Sequence, residues 1–500
     1  MRICRVGTAH RNLLCLLALL ALGSAIAPAT AQEPSGLEAA ATLEKVLVDA
    51  IARAEKSVVA IARVRRESPG DALRFEFRPD PFGRRPVPVA PLQPTDPNFI
   101  PNDFGAGVVI DRRGLILTAY HLLGDDSDYY VTAHDRRMFR ATVKAADPRS
   151  DLAVLAVEGS DAGSLDLAPM ALGDATTLRK GQLVVTLGNP FAIARDGQPS
   201  AGWGIVANLA RKAPSAPEDS DPTGAQTLHH FGTLIQTDAK LNQGASGGPL
   251  LNLKGEMVGL CVVMAATAGY ESAAGYAIPV DPTFRRVVDV LKQGREVEYG
   301  FLGIQPVNLQ SQEILAGQRG TRLGRIVPGT PAARHGLQPN DVITAVNDVP
   351  VYDADGLVLE MGKLPVEAAA QISLLRNGRP RTVSVILSKY PVRGKKIVTV
   401  RPAAWRGIRV DYPSAYVDAD PMGRAAANFV DEAVVVAEVE AGTPAANSGV
   451  KRGMLISHVD GRPVRTPKDF RAAIADKAGP VQLRLAVTEP SAVLVIPPGS

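Results

Sequence analysis

The decapeptide Leu241–Leu250 reads L-N-Q-G-A-S-G-G-P-L and sets Ser246 among Gly244, Gly247 and Gly248. A hydroxyl nucleophile needs such neighbours. They let the chain turn sharply, let a substrate carbonyl come close, and leave main-chain N–H groups to hold a developing oxyanion. A passive serine in a glycine-rich surface turn would read the same way, so the motif asks for a histidine and a carboxylate in matching contexts. The chain has seven histidines: His10, His121, His134, His229, His230, His335 and His458. His10 lies in an N-terminal leader, and His335 and His458 in a repeated unit. His134 sits in a strand-end turn beside Asp135. The His229-His230 doublet falls in a polar loop and is expected as solvated surface. His121 alone ends an apolar strand among small residues, T-A-Y-H, where a general base would stand. Asp151, opening the apolar run D-L-A-V-L, is the expected orienting carboxylate. Asp147, before Pro148 in a turn, is the rival. Asp238, in I-Q-T-D, is the other rival and is expected to support the loop that bears the nucleophile.

The order His121, Asp151, Ser246 is that of chymotrypsin-type enzymes, and not that of subtilisin or the α/β-hydrolases. The segments between these residues are short and β-branched. Residues 57–64 read as a strand. Val108–Ile110 and Leu115–Thr118 flank a turn at Asp111–Gly114 and read as a hairpin. Runs at 129–133, 139–145, 151–157, 182–187, 204–209 and 255–264 continue the pattern. Repeated short strands without helical alternation predict an all-β barrel or sandwich. Before them, Leu37, Leu43, Leu47 and Ile51 recur near helical spacing and predict a helix within 32–56. Nine prolines between Pro69 and Pro101, with Arg84-Arg85, make that stretch a long loop. Residues 211–232, polar and proline-containing, read as a second loop.

Arg2, Arg5 and Arg11, the apolar run Leu13–Ile26 and the A-T-A at residues 29–31 read as a cleaved secretory leader. No other run is apolar and long enough for a stable membrane span. Removal of residues 1–31 leaves 52 basic and 51 acidic residues, a balance that gives no support for nucleic-acid binding. Cys4 and Cys15 leave with the leader, so Cys261 has no disulfide partner and reads as a small buried hydrophobe. The sequence contains no H-E-x-x-H, paired C-x-x-C or P-loop pattern, so neither a metal nor another cofactor is expected.

The second half repeats itself. Residues 325–351 and 438–464 share G-T-P-A-A, a following glycine and a closing turn (Asn347-Asp348, Asp460-Gly461), displaced by 113 positions. Two copies are too few for a solenoid and predict two tandem small domains. Lys389–Arg401 reads as the linker.

The motifs G-A-G-V-V-I-D, L-T-A-Y-H, S-D-L-A-V-L, L-G-N-P-F, I-Q-T-D-A, G-A-S-G-G-P-L and G-Y-A-I-P follow one another as in the HtrA (Deg) family. The chain resembles these extracytoplasmic serine endoproteases over about residues 57–490. The resemblance implies a mainly β protein: a chymotrypsin-like double β-barrel over 57–290, then PDZ domains (small β-sandwiches with helices) over 291–390 and 401–490. It implies His121 as base, Asp151 as its orienter and Ser246 as nucleophile, with the N–H groups of Gly244 and Ser246 as the oxyanion hole. It sets Cys261, Val262 and Val263 along the primary specificity pocket, whose apolar walls suit small aliphatic side chains. Phe301, Leu302, Gly303 and Ile304 match a PDZ carboxylate-binding loop; Arg406, Gly407 and Ile408 are the second equivalent, in a copy with about nine extra residues whose groove is altered or idle. Ala245 stands where the family usually has Asn. Implied partners are unfolded protein or peptide substrates, C-terminal peptides at the PDZ domains, and further copies of the chain in a trimer or a multiple of one. The implied compartment is the periplasm or another extracytoplasmic space. A chaperone or scaffold of the same fold, with a latent or dispensable protease site, is the alternative.

Overall fold

The structure, a computed structural model, describes residues 36–66, 99, 101, 103–159, 165–189, 196–212, 227–262, 275–416, 432–486 and 492–498. The leader, nearly all of the proline-rich stretch 69–101, and Val263 lie outside the described residues. So does most of the polar loop expected over 211–232. Two compact units divide between Val48 and Asp49. The helix Gly36–Ala54, expected from its spacing, runs across that division. Its first unit leaves Leu37, Leu43 and Val48 exposed. In the second unit its last turn packs on the barrels, with Arg53 Nε donating to Lys254 O at 3.1 Å. Among the described residues no helix is long and apolar enough to cross a membrane.

The first barrel is built from β1 (Val58–Arg65), β2 (Asp103–Asp111), β3 (Leu115–Ala119), β4 (Ser127–Thr132), β5 (Met138–Asp147) and β6 (Leu152–Val157). They run in the order β5-β4-β1-β2-β3-β6, and β5–β6 pairing closes the ring. Strand alternation sends Val59, Ile61, Val109, Ile116, Val131 and Leu155 into one core. Each such side chain contributes about 1.5–3 kcal/mol by leaving water. Truncating Leu155 to Ala would cost about 2–5 kcal/mol.

The second barrel comprises β7 (Leu183–Gly188), β8 (Ser200–Arg211), β9 (Leu234–Thr237), β10 (Pro249–Leu251), β11 (Met257–Val262) and β12 (Gly275–Pro279). It closes in the order β10-β11-β12-β9-β8-β7 around Val184, Val206, Ile235, Leu250 and Val258. A helix, Pro282–Lys292, leads out of it. Asp281 caps this helix, accepting the Phe284 N–H at 2.8 Å, and proline opens its first turn.

Two small domains follow. The first joins β13 (Gly300–Phe301) to β20 (Ser388–Lys389) and builds a sheet from β14 (Ile304–Asn308), β15 (Thr321–Ile326), β16 (Val342–Val346), β17 (Val349–Pro350), β18 (Ala369–Arg376) and β19 (Arg379–Ile386). The second repeats the plan with β22 (Ile408–Asp411), β23 (Val434–Val439), β24 (Leu455–Val459), β25 (Arg462–Pro463), β26 (Val481–Leu485) and β27 (Val493–Ile496). In each, the shared G-T-P-A-A starts a one-turn helix with proline in its first turn, Pro331–Arg334 and Pro444–Asn447.

The segment expected to be a plain linker, Lys389–Arg401, is instead built into the fold. Residues Ile397–Val398 form β21 and pair antiparallel with Ala146 and Ala145 of β5. The reason lies in β5 itself. Its first half pairs with β4, but β4 has run out by Ala145, and β21 covers the edge left open. Lys389 is buried and its Nζ lies 3.1 Å from Glu296, 3.1 Å from Glu298 and 2.9 Å from Asp411. A buried ammonium must be paired, so this residue ties the approach to the first small domain to β22 of the second. Burial pulls its pKa down, but the three carboxylates dominate and raise it.

Candidate active site

His121 lies in a 3-10 turn, Tyr120–Leu122, at the end of β3; Asp151 lies in the turn between β5 and β6; Ser246 lies between β9 and β10. The barrels bring the three together. His121 Nδ1 is 2.8 Å from Asp151 Oδ2, and His121 Nε2 is 3.1 Å from Ser246 Oγ. An ionised carboxylate only accepts, so Nδ1 carries the proton and Nε2 is free to accept from the serine hydroxyl. Asp151 Oδ1 also accepts the His121 N–H at 3.0 Å, and the Asp151 carbonyl accepts the Tyr120 N–H at 2.9 Å. Loss of water around the imidazole lowers its pKa, but the charge of Asp151 and the hydrogen bond to it win and raise it. Burial pushes the Asp151 carboxyl up, and the opposing charge and hydrogen bond of His121 bring it below the usual carboxylate range.

The turn around Ser246 leaves no room for larger residues. Gly247 has φ +82°, and a Cβ there would meet Ala106 O at 2.1 Å and Thr118 Oγ1 at 2.4 Å. The Ser246 carbonyl accepts the Ala106 N–H at 2.9 Å, which fixes this residue to β2. Gly244 has φ +97°, its carbonyl accepting the Asn189 N–H at 3.2 Å. The intervening Ala245 N–H turns back to Asn242 O at 2.9 Å. The Ala245 N–H is therefore spent inside the turn. Asp238 bonds to the neighbouring strand, its Oδ1 accepting the Ile205 N–H of β8 at 2.7 Å.

Three expectations are corrected. Cys261 does not line a pocket: strand alternation turns its thiol into the core of the second barrel, where burial raises its pKa to about 12. Its contribution to the site is a carbonyl that accepts the Gly247 N–H at 2.9 Å. Val262 is buried beside it. His229 is not solvated surface but buried, its Nε2 2.9 Å from Ser150 O and its Nδ1 2.8 Å from Thr233 Oγ1. The polarity of the flanking loop hid this, because the capped turn Leu228–Phe231 folds inward. Asp147 is not a rival to Asp151 but its support. Its Oδ2 accepts the Ser150 N–H at 2.9 Å, the Ser150 hydroxyl at 2.6 Å, and the hydroxyl of Tyr299.

The two carboxylate-loop candidates differ. Around Gly303 (φ +81°), Leu302 O accepts the Ala332 N–H and Gly303 O the Val327 N–H, while Leu302 packs in the domain core. The second loop keeps the matching bonds, Arg406 O with Ala445 N–H and Gly407 O with Glu440 N–H. It adds a closure: Trp405 and Ile408 exchange both backbone hydrogen bonds, at 2.9 and 2.8 Å. The Arg406 guanidinium then donates to the carbonyls of Ile496, Lys477 and Gly479. The Ile408 N–H is spent within the loop.

Residues 105–260 match the model of a trypsin-like peptidase domain, and residues 300–387 and 435–488 match PDZ domains. The chain is 30% identical over 386 residues to periplasmic serine endoprotease DegP of Salmonella typhimurium, covering 76% of this chain and 74% of that one. It is 27% identical over 439 residues to the periplasmic pH-dependent serine endoprotease DegQ of Escherichia coli, covering 86% and 87%. The solved HtrA-type protease AlgW with a tripeptide shares the fold, at a TM-score of 0.51 and 23% identity, over 69% of this chain and 97% of that one. The fold and the site define a serine endopeptidase with two PDZ domains. The chain belongs to the HtrA family, alongside DegP and DegQ.

Proposed function

We propose that Ser246 is the nucleophile, His121 the general base and Asp151 its orienter in hydrolysis of peptide bonds in unfolded or damaged proteins of the periplasm. The observation that carries this reading is the continuous chain from Asp151 Oδ2 through His121 to Ser246 Oγ, with links of 2.8 and 3.1 Å. As Ser246 Oγ attacks the scissile carbonyl carbon, its proton passes to His121 Nε2. The carbonyl oxygen becomes an oxyanion held by the N–H groups of Gly244 and Ser246. The tetrahedral intermediate collapses, the C–N bond breaks, and His121 returns the proton to the leaving amine. Water then attacks the acyl carbon, giving its proton to His121; the ester bond to Ser246 Oγ breaks, His121 returns that proton to Oγ, and the carboxylic acid product leaves. No cofactor enters any step.

The first PDZ domain captures C-terminal carboxylates at Phe301–Ile304, and the peptide pairs along β14. The self-closed loop at Arg406–Ile408 supports a different role for the second PDZ domain, in which no carboxylate is captured. The exposed Leu37, Leu43 and Val48 of the N-terminal helix support assembly with further copies, a trimer or a multiple of it. A fluorophosphonate probe tests the site. With or without an added C-terminal peptide, the wild type acquires an adduct on Ser246 and His121→Ala does not. A folded wild type with Ser246 unlabelled under both conditions contradicts the assignment.

A further inference from the structure

Asp151 has φ +54°, in the left-handed region that side chains other than glycine's rarely adopt. Such a conformation persists only where its surroundings over-determine it. The rotation that would relieve it turns the Ser150–Asp151 peptide, changing ψ of Ser150 and φ of Asp151 together. That peptide has one carbonyl, and His229 Nε2 meets it at 2.9 Å. A carbonyl only accepts, so Nε2 carries the proton, and Nδ1 accepts from the Thr233 hydroxyl at 2.8 Å. This is one neutral tautomer with both ring nitrogens satisfied. Burial lowers the His229 pKa against the pull of the Asp151 charge, which favours that neutral form.

The imidazole is itself held. Leu228 N–H donates to Arg149 O at 2.8 Å, and Thr227 caps the turn that presents the ring. On the near side, Ser150 is fixed to Asp147 through its N–H and its hydroxyl. Turning the Ser150–Asp151 peptide would strand a buried carbonyl and a buried imidazole N–H together.

We propose that His229 is a positioning residue for Asp151: by holding the Ser150 carbonyl it fixes the backbone that aims Asp151 Oδ2 at His121 Nδ1. The proposal rests on the triad reading above, and neither the relatives' names nor the family motifs point to this histidine.

Full-length His229→Leu and His229→Gln are compared with the wild type and with Ser246→Ala on a peptide substrate. His229→Leu lowers kcat by about 100-fold, the scale of a displaced catalytic group, with KM within about twofold. Its acid limb in kcat/KM moves down toward that of a free histidine, because Asp151 no longer faces His121 squarely. His229→Gln, whose amide N–H reaches the same carbonyl, keeps most of the rate and the wild-type limb. If His229→Leu does not fold, His229→Asn replaces it, since its shorter amide cannot span to Ser150 O. Wild-type kinetics in the leucine variant, or equal losses in Leu and Gln with an unmoved limb, overturn the proposal. An active Ser246→Ala would instead overturn the triad reading beneath it.

Discussion

The hydroxyl of Tyr299 donates to Asp147 Oδ2, across 152 residues of sequence and four residues before Asp151. Tyr299 directly precedes β13, where the first PDZ domain begins. The segment leading into the domain thus contributes a buried hydrogen bond to the turn that carries Asp151. The Arg149 guanidinium, in the same turn, lies 3.7 Å over the ring of Tyr390 and 5.3 Å from that of Tyr299.

Tyr299→Phe keeps the ring and removes the donor. Asp147 retains both bonds from Ser150, so the turn survives at reduced stability. Loss of one bond to a buried carboxylate costs about 1–3 kcal/mol. Urea unfolding followed by near-ultraviolet circular dichroism reads it. A midpoint equal to the wild type's would show that the hydroxyl contributes nothing.

The raised pKa of His121 has a sign that can be checked. The base works as neutral imidazole. Activity therefore rises with pH through the folded-state pKa, which lies above the ordinary value of about 6.5. In Asp151→Asn the carboxylate that holds the proton is gone. The limb falls back toward the ordinary value, and kcat drops by about 10⁴-fold as the tautomer is lost. A wild-type limb at or below 6.5 contradicts the electrostatic account.

Lys389→Met removes the cation from a buried cluster and leaves Glu296, Glu298 and Asp411 facing one another. The three carboxylates keep part of their surface in water. The loss therefore falls below the about 3–5 kcal/mol of a fully buried broken pair. Calorimetry should show a lower unfolding temperature that recovers partly at acidic pH, where the carboxylates are neutralised. A variant as stable as the wild type would remove the cluster from the account of how the PDZ domains are joined.

The grouping of His121, Asp151 and Ser246 was legible in the sequence because each sits in a local pattern with a chemical reason. Ser246 has its glycines, His121 ends an apolar strand, and Asp151 begins one. The barrels were legible as short alternating strands, and the two small domains as a repeat. What stayed hidden depends on long-range pairing. His229 looks solvent-facing until the turn at Leu228–Phe231 is known to fold under Asp151. Lys389 and Ile397–Val398 look like linker because nothing local says that β5 outruns β4, or that three carboxylates distant in sequence converge. Cys261 fits both a buried hydrophobe and a pocket wall by sequence, and only the strand register separates the two.

Cleavage of an unfolded casein by residues 32–500, beside the Ser246→Ala variant, tests the central claim most directly. The account predicts fragments from the first and intact casein with the second, which still binds it. Equal cleavage by both would contradict the assignment of Ser246.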